Sequence, residues 1–327
     1  MEMLVSVLLF AVGLVLLIKG GDWFVDGATG IAKRFNLPDI VVGATVVSIG
    51  TTLPEVMVST TGALAGSGAM AYGNAIGSII CNTALIAAIS ITCNPGPVNV
   101  KSMKTPAIFF FAAAAIYCLA AYGLGTFPRW LGFVMLSVFV VYMILTVRNG
   151  LKNPDASAEE EEEGDKKERK LWQELLLLVI GAAVIAVGAD LLVDHGQIIA
   201  IGLGVPETVV ALLFVALGTS LPELVTTITS LKKGRASLGV GNVIGANVFN
   251  LVLVSGVAVS LAPFDVPCEN TLLNTDLNLS LVFDIPVMLG VMSLMIFPAL
   301  LGKKLGRWQG ITLLCIYAAF VVCQFVL

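Results

Sequence analysis

The sequence predicts an all-α polytopic membrane protein, ten transmembrane helices arranged as two inverted five-helix repeats. Three observations carry that prediction. First, the chain is 57% hydrophobic and only 12% charged, whereas a soluble domain is typically about a quarter charged. Second, apolar runs of about 20 residues recur along its length, each enough to cross a hydrocarbon core of about 30 Å as a helix. Third, the second half of the chain repeats the first at a shift of 168 residues.

The apolar runs fall near 4–24, 38–63, 71–93, 104–123 and 128–148, then near 171–192, 206–231, 239–261, 279–301 and 306–327. They lack the period-2 alternation of barrel strands. The reading therefore divides the chain into a first five-helix repeat (1–149), an acidic linker (150–170) and a second, inverted repeat (171–327). The first run has no basic residue ahead of it and no small-residue cleavage site, so it is read as a retained span. Of the 18 Lys and Arg, only Arg129 falls on the connections opposite Lys33, Arg34, Lys101, Lys104, Lys232, Lys233, Arg235, Lys303, Lys304 and Arg307. The positive-inside rule then puts both termini outside and the linker in the cytoplasm. A multi-pass protein of a cell membrane, with the lipid bilayer as its environment, is expected.

Composition removes several function classes. The eight acids within 155–168 are read as a solvated linker. No basic stripe interleaved with aromatics supports nucleic-acid binding, and no protein partner is required. An enzyme is not expected: there is no HExxH, no intramembrane Asp pair and no Ser/His arrangement, and His195 is read as a boundary residue. The six cysteines form no CxxC pair and read as small hydrophobes in helix packing.

The repeat locates the chemistry. Between 20–82 and 188–250, 22 of 63 positions are identical without a gap, and 12 of those matches fall on Gly, Pro, Asn, Glu and Thr, which hydropathy does not favour. Five spans per copy force the second copy to enter the membrane upside down. Inverted repeats are the build of secondary transporters, whose site lies where the copies meet at the midplane.

The densest matches are Gly50-Thr51-Thr52-Leu53-Pro54-Glu55 with Gly218-Thr219-Ser220-Leu221-Pro222-Glu223, and GNAIGSIICN from Gly73 with GNVIGANVFN from Gly241. A proline within a helix leaves the carbonyl four residues back without a donor, here Gly50 and Gly218. Such backbone persists in a membrane only where it is buried in protein or lines a polar cavity. Thr51 and Glu55, at i and i+4, add a hydroxyl and a carboxylate on the same face. Asn74, Ser78 and Asn82 form a polar stripe that Asn242, Ala246 and Asn250 repeat, while Gly73, Gly77, Gly241 and Gly245 permit close backbone approach. Carboxylate, hydroxyl, amide and carbonyl oxygens together suit a hard cation such as Ca²⁺ or Na⁺. Glu55 and Glu223 are the central candidates, since an acid near the bilayer centre marks a functional site. Asn82 and Asn250 converge with them, Thr51, Thr219 and Ser220 accompany them, and Asn74 and Asn242 serve as either ligands or packing groups.

With those motifs in place, the chain resembles the Ca²⁺/cation antiporters, and among them the prokaryotic sodium/calcium exchangers. The resemblance covers essentially the whole chain and rests on the two G-T-[ST]-x-P-E and G-N-x-x-G-[SA]-x-x-x-N motifs. It implies that Glu55 and Glu223 hold Ca²⁺ and share the Na⁺ sites. It further implies that Thr51, Thr219, Ser220, Ser78, Asn82 and Asn250 complete the shells, with backbone carbonyls near Ser48 and Ala216. No cofactor is implied; Ca²⁺ and Na⁺ are the transported ions, exchanged as the first and sixth spans slide across the bundle, and a prokaryotic inner membrane is the expected location. The runner-up is an H⁺-coupled antiporter of Ca²⁺ or another divalent cation that works by glutamate protonation. Asn250 stands where K⁺-dependent relatives have Asp, which argues against K⁺ coupling; Thr52 replaces a common Ser, and Ala246 a Ser that often binds Na⁺. Asp22 and Asp26, matched by Asp190 and Asp194, are read as helix-end anchors. Asp265, Glu269 and Asp276 are read as attracting cations, and Asp284 has no acidic counterpart and no assigned role.

Overall fold

The computed structural model describes residues 2–152, 169–202, 218–267 and 278–326. A long helix α1 (Glu2–Arg34) opens the chain. Next, α2 (Asp39–Thr51) and α3 (Leu53–Leu64) form one span broken by a 46° bend. α4 (Gly68–Cys93), α5 (Val100–Leu124) and α6 (Arg129–Lys152) follow. The second half contains α7 (Leu171–Gly202), α8 (Leu221–Lys232), α9 (Ala236–Leu261), α10 (Ser280–Gly302) and α11 (Arg307–Val326). Among the described residues, 8 helices are long and apolar enough to cross a membrane, or 9 with the bent pair α2–α3. The remaining expected span, near 206–231, is described only from Gly218 onward and contains α8. The acidic run, Ala216, Cys268, Glu269 and Asp276 lie outside the described residues.

The inversion can be read from two contacts. α1 and α7, related by the repeat, pack antiparallel: Gly13 lies against Gly188, and Gly27 against Glu174. Two small ribbons are exchanged by the same symmetry. β1 (Gly96–Pro97) pairs with β4 (Lys304–Leu305), and β2 (Thr126–Phe127) pairs with β3 (Phe264–Asp265). β1 and β3 are related at the shift of 168, β2 and β4 at 178, so the second copy gains ten residues between its third and fourth helices.

Burial grades the helices from centre to rim. In α4 and α9, 72% and 83% of the apolar window is buried, against 22% in α1 and in α7. The central pair therefore forms the core, and the long pair lies at its edge, packed chiefly on itself. Glycines make that edge contact possible. A Cβ on Gly13, Gly20 or Gly27 of α1 would come within 3.0 Å of α7 backbone, and one on Gly181 or Gly188 would do the same to α1. The seven-residue spacing keeps these glycines near one face of each helix, where small residues let backbones approach.

The expected close approach at the four motif glycines is observed in the second repeat. A Cβ on Gly241 would lie 2.3 Å from the Ile40 carbonyl oxygen, and one on Gly245 2.5 Å from Ala44 Cα. At Gly73 and Gly77, nothing among the described residues lies within 4 Å. The segment related to Ile40 and Ala44, around 208–212, lies outside the described residues.

Candidate ion-binding site

Each proline break is resolved as a helix start. α2 ends at Thr51, Thr52 takes φ −85° and ψ −2°, and α3 begins at Leu53 with Pro54 as its second residue. Ser220, at φ −91° and ψ 3°, and Pro222 repeat the arrangement ahead of α8. Proline is tolerated there because the first turn of a helix has no acceptors for its N–H groups. Glu55 and Glu223 thus both sit in a first turn, where the helix dipole favours negative charge. The Ser48 carbonyl accepts from the Thr52 N–H at 3.0 Å, which leaves it a second lone pair.

Asn82 and Asn250 also occupy equivalent positions. Each begins a π-helical turn, Asn82–Ala87 in α4 and Asn250–Val254 in α9. Such turns interrupt the regular hydrogen-bond ladder and recur at functional sites.

Unsatisfied polar atoms single out three repeat-related pairs. Glu55, Glu223, Asn82, Asn250 and Thr52 are fully buried, and Ser220 nearly so. Both carboxylate oxygens of each Glu, both amide atoms of each Asn, and the Thr52 and Ser220 hydroxyls have no hydrogen-bond partner among the described residues. Thr51 and Thr52 lie beside the Glu223 carboxylate, and the two glutamates act on each other electrostatically. Cys81, next to Asn82, lies beside Ser220 and within the field of both acids. Among the described residues, these six side chains carry eight buried oxygens without a partner. Ca²⁺ takes roughly six to eight oxygen ligands, so the donor set fits a cation of that kind as cargo. Among the described residues no Lys or Arg pairs with either glutamate. Two buried, unpaired carboxylates are strongly unfavourable without positive charge or protons.

Asn74 and Asn242 are placed differently: both amides are engaged. Thr51 Oγ1 donates to Asn242 Oδ1 at 3.2 Å, and Thr219 Oγ1 donates to Asn74 Oδ1 at 3.3 Å. One contact thus crosses the repeat boundary twice. Asn74 Nδ2 donates to the Glu55 carbonyl and to Ser59 Oγ, while Asn242 Nδ2 donates to Thr226 Oγ1. Ser48 Oγ contacts the Gly43 carbonyl and Asn242. Ser78 is buried on the same helix as Asn82.

Thr52 was not among the expected ligands. Its signal was available: it is the repeat partner of Ser220, and a hydroxyl at both positions is what an ion midway between the copies requires. Asp22 and Asp26 lie inside α1 rather than at a helix end, because α1 continues to Arg34; they are tied there by Lys233, whose Nζ donates to the Asp22 carbonyl and to Asp26 Oδ1, both at 2.8 Å.

Known proteins are similar to this chain along nearly its whole length. The family described as sodium/calcium exchanger protein matches residues 5–148 and 174–326. An uncharacterised membrane protein of Methanocaldococcus jannaschii is 35% identical over 308 residues, 94% of either chain. The sodium/calcium exchanger MaX1 of Methanosarcina acetivorans is 29% identical over 355 residues, covering 98% of this chain and 99% of its own. The solved structure of the sodium-calcium exchanger NCX_Mj, soaked with 10 mM Na⁺ and zero Ca²⁺, superposes with a TM-score of 0.79. It shares 33% identity over 98% of this chain and 99% of its own.

Proposed function

The chain belongs to the sodium/calcium exchanger family of multi-pass membrane antiporters, and from that membership we propose that it exchanges Ca²⁺ for Na⁺ at the Glu55–Glu223 site. The observation that carries the reading is the burial of both glutamates with all four carboxylate oxygens unpaired. With both ionised, the empty site carries about −2, and passing that charge through a low-dielectric switch is unfavourable. One Ca²⁺ cancels it, as do Na⁺ ions assisted by neutral oxygens. Only loaded forms cross readily, which makes transport an exchange.

Glu55 and Glu223 are the shared anionic ligands. Asn82, Asn250, Thr52 and Ser220 supply neutral oxygens, with Ser78 and the carbonyls near Ser48 and Ala216 completing the shell. Thr51 and Thr219 reach the ion from the same turns, and Asn74 and Asn242 hold those hydroxyls in place across the repeat boundary. α1 and α7 move as one body over the core, a motion supported by their mutual glycine seam and shallow burial. The face bearing Lys33, Lys233, Arg235 and Lys304 is toward the cytoplasm, together with the acidic linker.

Proteoliposomes test the reading. Ca²⁺ uptake should follow an outward Na⁺ gradient and vanish in Glu55→Gln and Glu223→Gln. Uptake that ignores Na⁺ but follows an imposed pH gradient would replace Na⁺ with H⁺ as the coupling ion, through protonation of the same glutamates.

A further inference from the structure

Asp284, near the start of α10, is an acid that the exchange site does not use. It closes the π-helical turn Ser280–Asp284 that opens α10. Its Oδ2 accepts from Ser280 Oγ at 3.0 Å, and its Oδ1 from Gln324 Nε2 of α11 at 2.7 Å. A carboxylate has about four acceptor positions, so roughly two remain. Both donors are neutral, and the ion pairs among the described residues involve Lys233 and Arg235, not Asp284. Among the described residues, the charge is hydrogen-bonded but not compensated.

A second, independent feature points into the same spot. Tyr72 of α4 is 2% exposed and its hydroxyl has no hydrogen-bond partner among the described residues. That hydroxyl lies against Ser280 and within the field of Asp284. The Tyr72 ring is held by Tyr117 and Phe127, at centroid distances of 5.8 and 6.0 Å. The other titratable groups nearby are Tyr122 and Cys118 of α5, and the Tyr122 hydroxyl is already donated to the Leu281 carbonyl.

The local chemistry parallels that of the exchange motif. Ser280 and Asp284 place a hydroxyl and a carboxylate at i and i+4, beside a π turn and Pro286, which cannot donate to the Val282 carbonyl. The repeat does not duplicate it: at the shift of 178 that relates β2 to β4, Asp284 corresponds to Pro106.

We propose that Asp284, Ser280 and Tyr72 form a second cation site, separate from the glutamate pair, that holds one monovalent cation, Na⁺ or K⁺. A single carboxylate balances a single positive charge, whereas Ca²⁺ sites gather several. The site goes beyond the exchange reading and does not depend on it.

The test uses purified full-length protein carrying Glu55→Gln and Glu223→Gln, in which the main site is neutral. At constant ionic strength, NaCl or KCl should raise the melting temperature with saturation relative to choline chloride. Adding Asp284→Asn should abolish that shift, and Tyr72→Phe should move its midpoint roughly three- to tenfold. As a second measurement, the native chain saturated with Ca²⁺ should bind one ²²Na⁺ or ⁸⁶Rb⁺ that Asp284→Asn loses. No saturable response to either cation, or a response that survives Asp284→Asn, would overturn the proposal and identify Asp284 as a protonated helix tie. Ca²⁺ binding retained by the Glu55→Gln, Glu223→Gln protein would instead count against the exchange site and leave the Asp284 result standing.

Discussion

α3 and α8 begin alike and end differently. At their starts, Thr52-Leu53-Pro54-Glu55 and Ser220-Leu221-Pro222-Glu223 place the same hydroxyl, proline and carboxylate in the same helix turn. At their ends, Leu64-Ala65-Gly66-Ser67 faces Lys232-Lys233-Gly234-Arg235. The glycine is shared because both turns need a left-handed φ, +85° at Gly66 and +72° at Gly234. The charges are not shared. Lys233 ties α8 to Asp26 of α1, and Arg235 Nη1 holds both oxygens of Asp39 at 2.9 and 3.0 Å. Asp190 and Asp194, the repeat partners of Asp22 and Asp26, have no such ion pair among the described residues. The two copies stay alike at the buried proline–glutamate turns and diverge at the far ends of these helices.

The largest expected effect tests the equal part. Glu55→Gln and Glu223→Gln should each reduce Na⁺-driven Ca²⁺ uptake by about 10²- to 10⁴-fold, since losing one member of a buried charged set costs about 3–5 kcal/mol. Melting temperature in cation-free choline buffer should not fall in either variant, because like-charge repulsion is relieved. A variant that keeps uptake would mean that one copy alone carries the ion.

Packing comes next. Gly245→Ala should lower unfolding free energy by about 1–3 kcal/mol, the usual range for overpacking a tight core, because its Cβ would sit 2.5 Å from Ala44 Cα. Gly290→Ala on α10, with nothing within 4 Å, should be neutral or mildly stabilising. Thermal unfolding in detergent separates the two.

Smaller effects sharpen the unequal part. Arg235→Ala should destabilise by about 1–2 kcal/mol, between the exposed and buried ranges for ion pairs, since the pair is 14% and 18% exposed. Ser67→Ala, at the related turn, should change stability by less than about 0.5 kcal/mol. Smallest of all, Lys303 holds φ +55° where the related Gly125 holds +68°. Lys303→Gly should therefore stabilise by up to about 1 kcal/mol, read as a rise in melting temperature.

The spans and the duplicated acids were legible in the sequence because lipid penalises charge and unpaired backbone so heavily that a Glu beside a proline stands out. The division of labour among the asparagines was not. Asn74 and Asn82 look alike as letters, and only the three-dimensional partners show that Asn74 braces Thr219 while Asn82 leaves both amide atoms unpaired. Thr52 read as a departure from a common serine, although a hydroxyl is conserved in chemistry if not in name. The π turns at Asn82 and Asn250 carry no residue signature. The glycine seam of Gly13, Gly20 and Gly27 was present in the letters but competed with ordinary packing glycines, since its meaning depends on the facing Gly181 and Gly188. The ten residues gained in the second copy hid the relation of Gly125 to Lys303, and of Pro106 to Asp284, from an ungapped shift.

Anomalous diffraction from crystals soaked in Ca²⁺ or Sr²⁺ without Na⁺ tests the central claim most directly. The account predicts one dominant peak within about 2.3–2.6 Å of oxygens from both Glu55 and Glu223, lost when Na⁺ replaces the divalent ion. A peak bound by only one of the two glutamates, or a divalent ion held elsewhere while both carboxylates remain without metal, would contradict it.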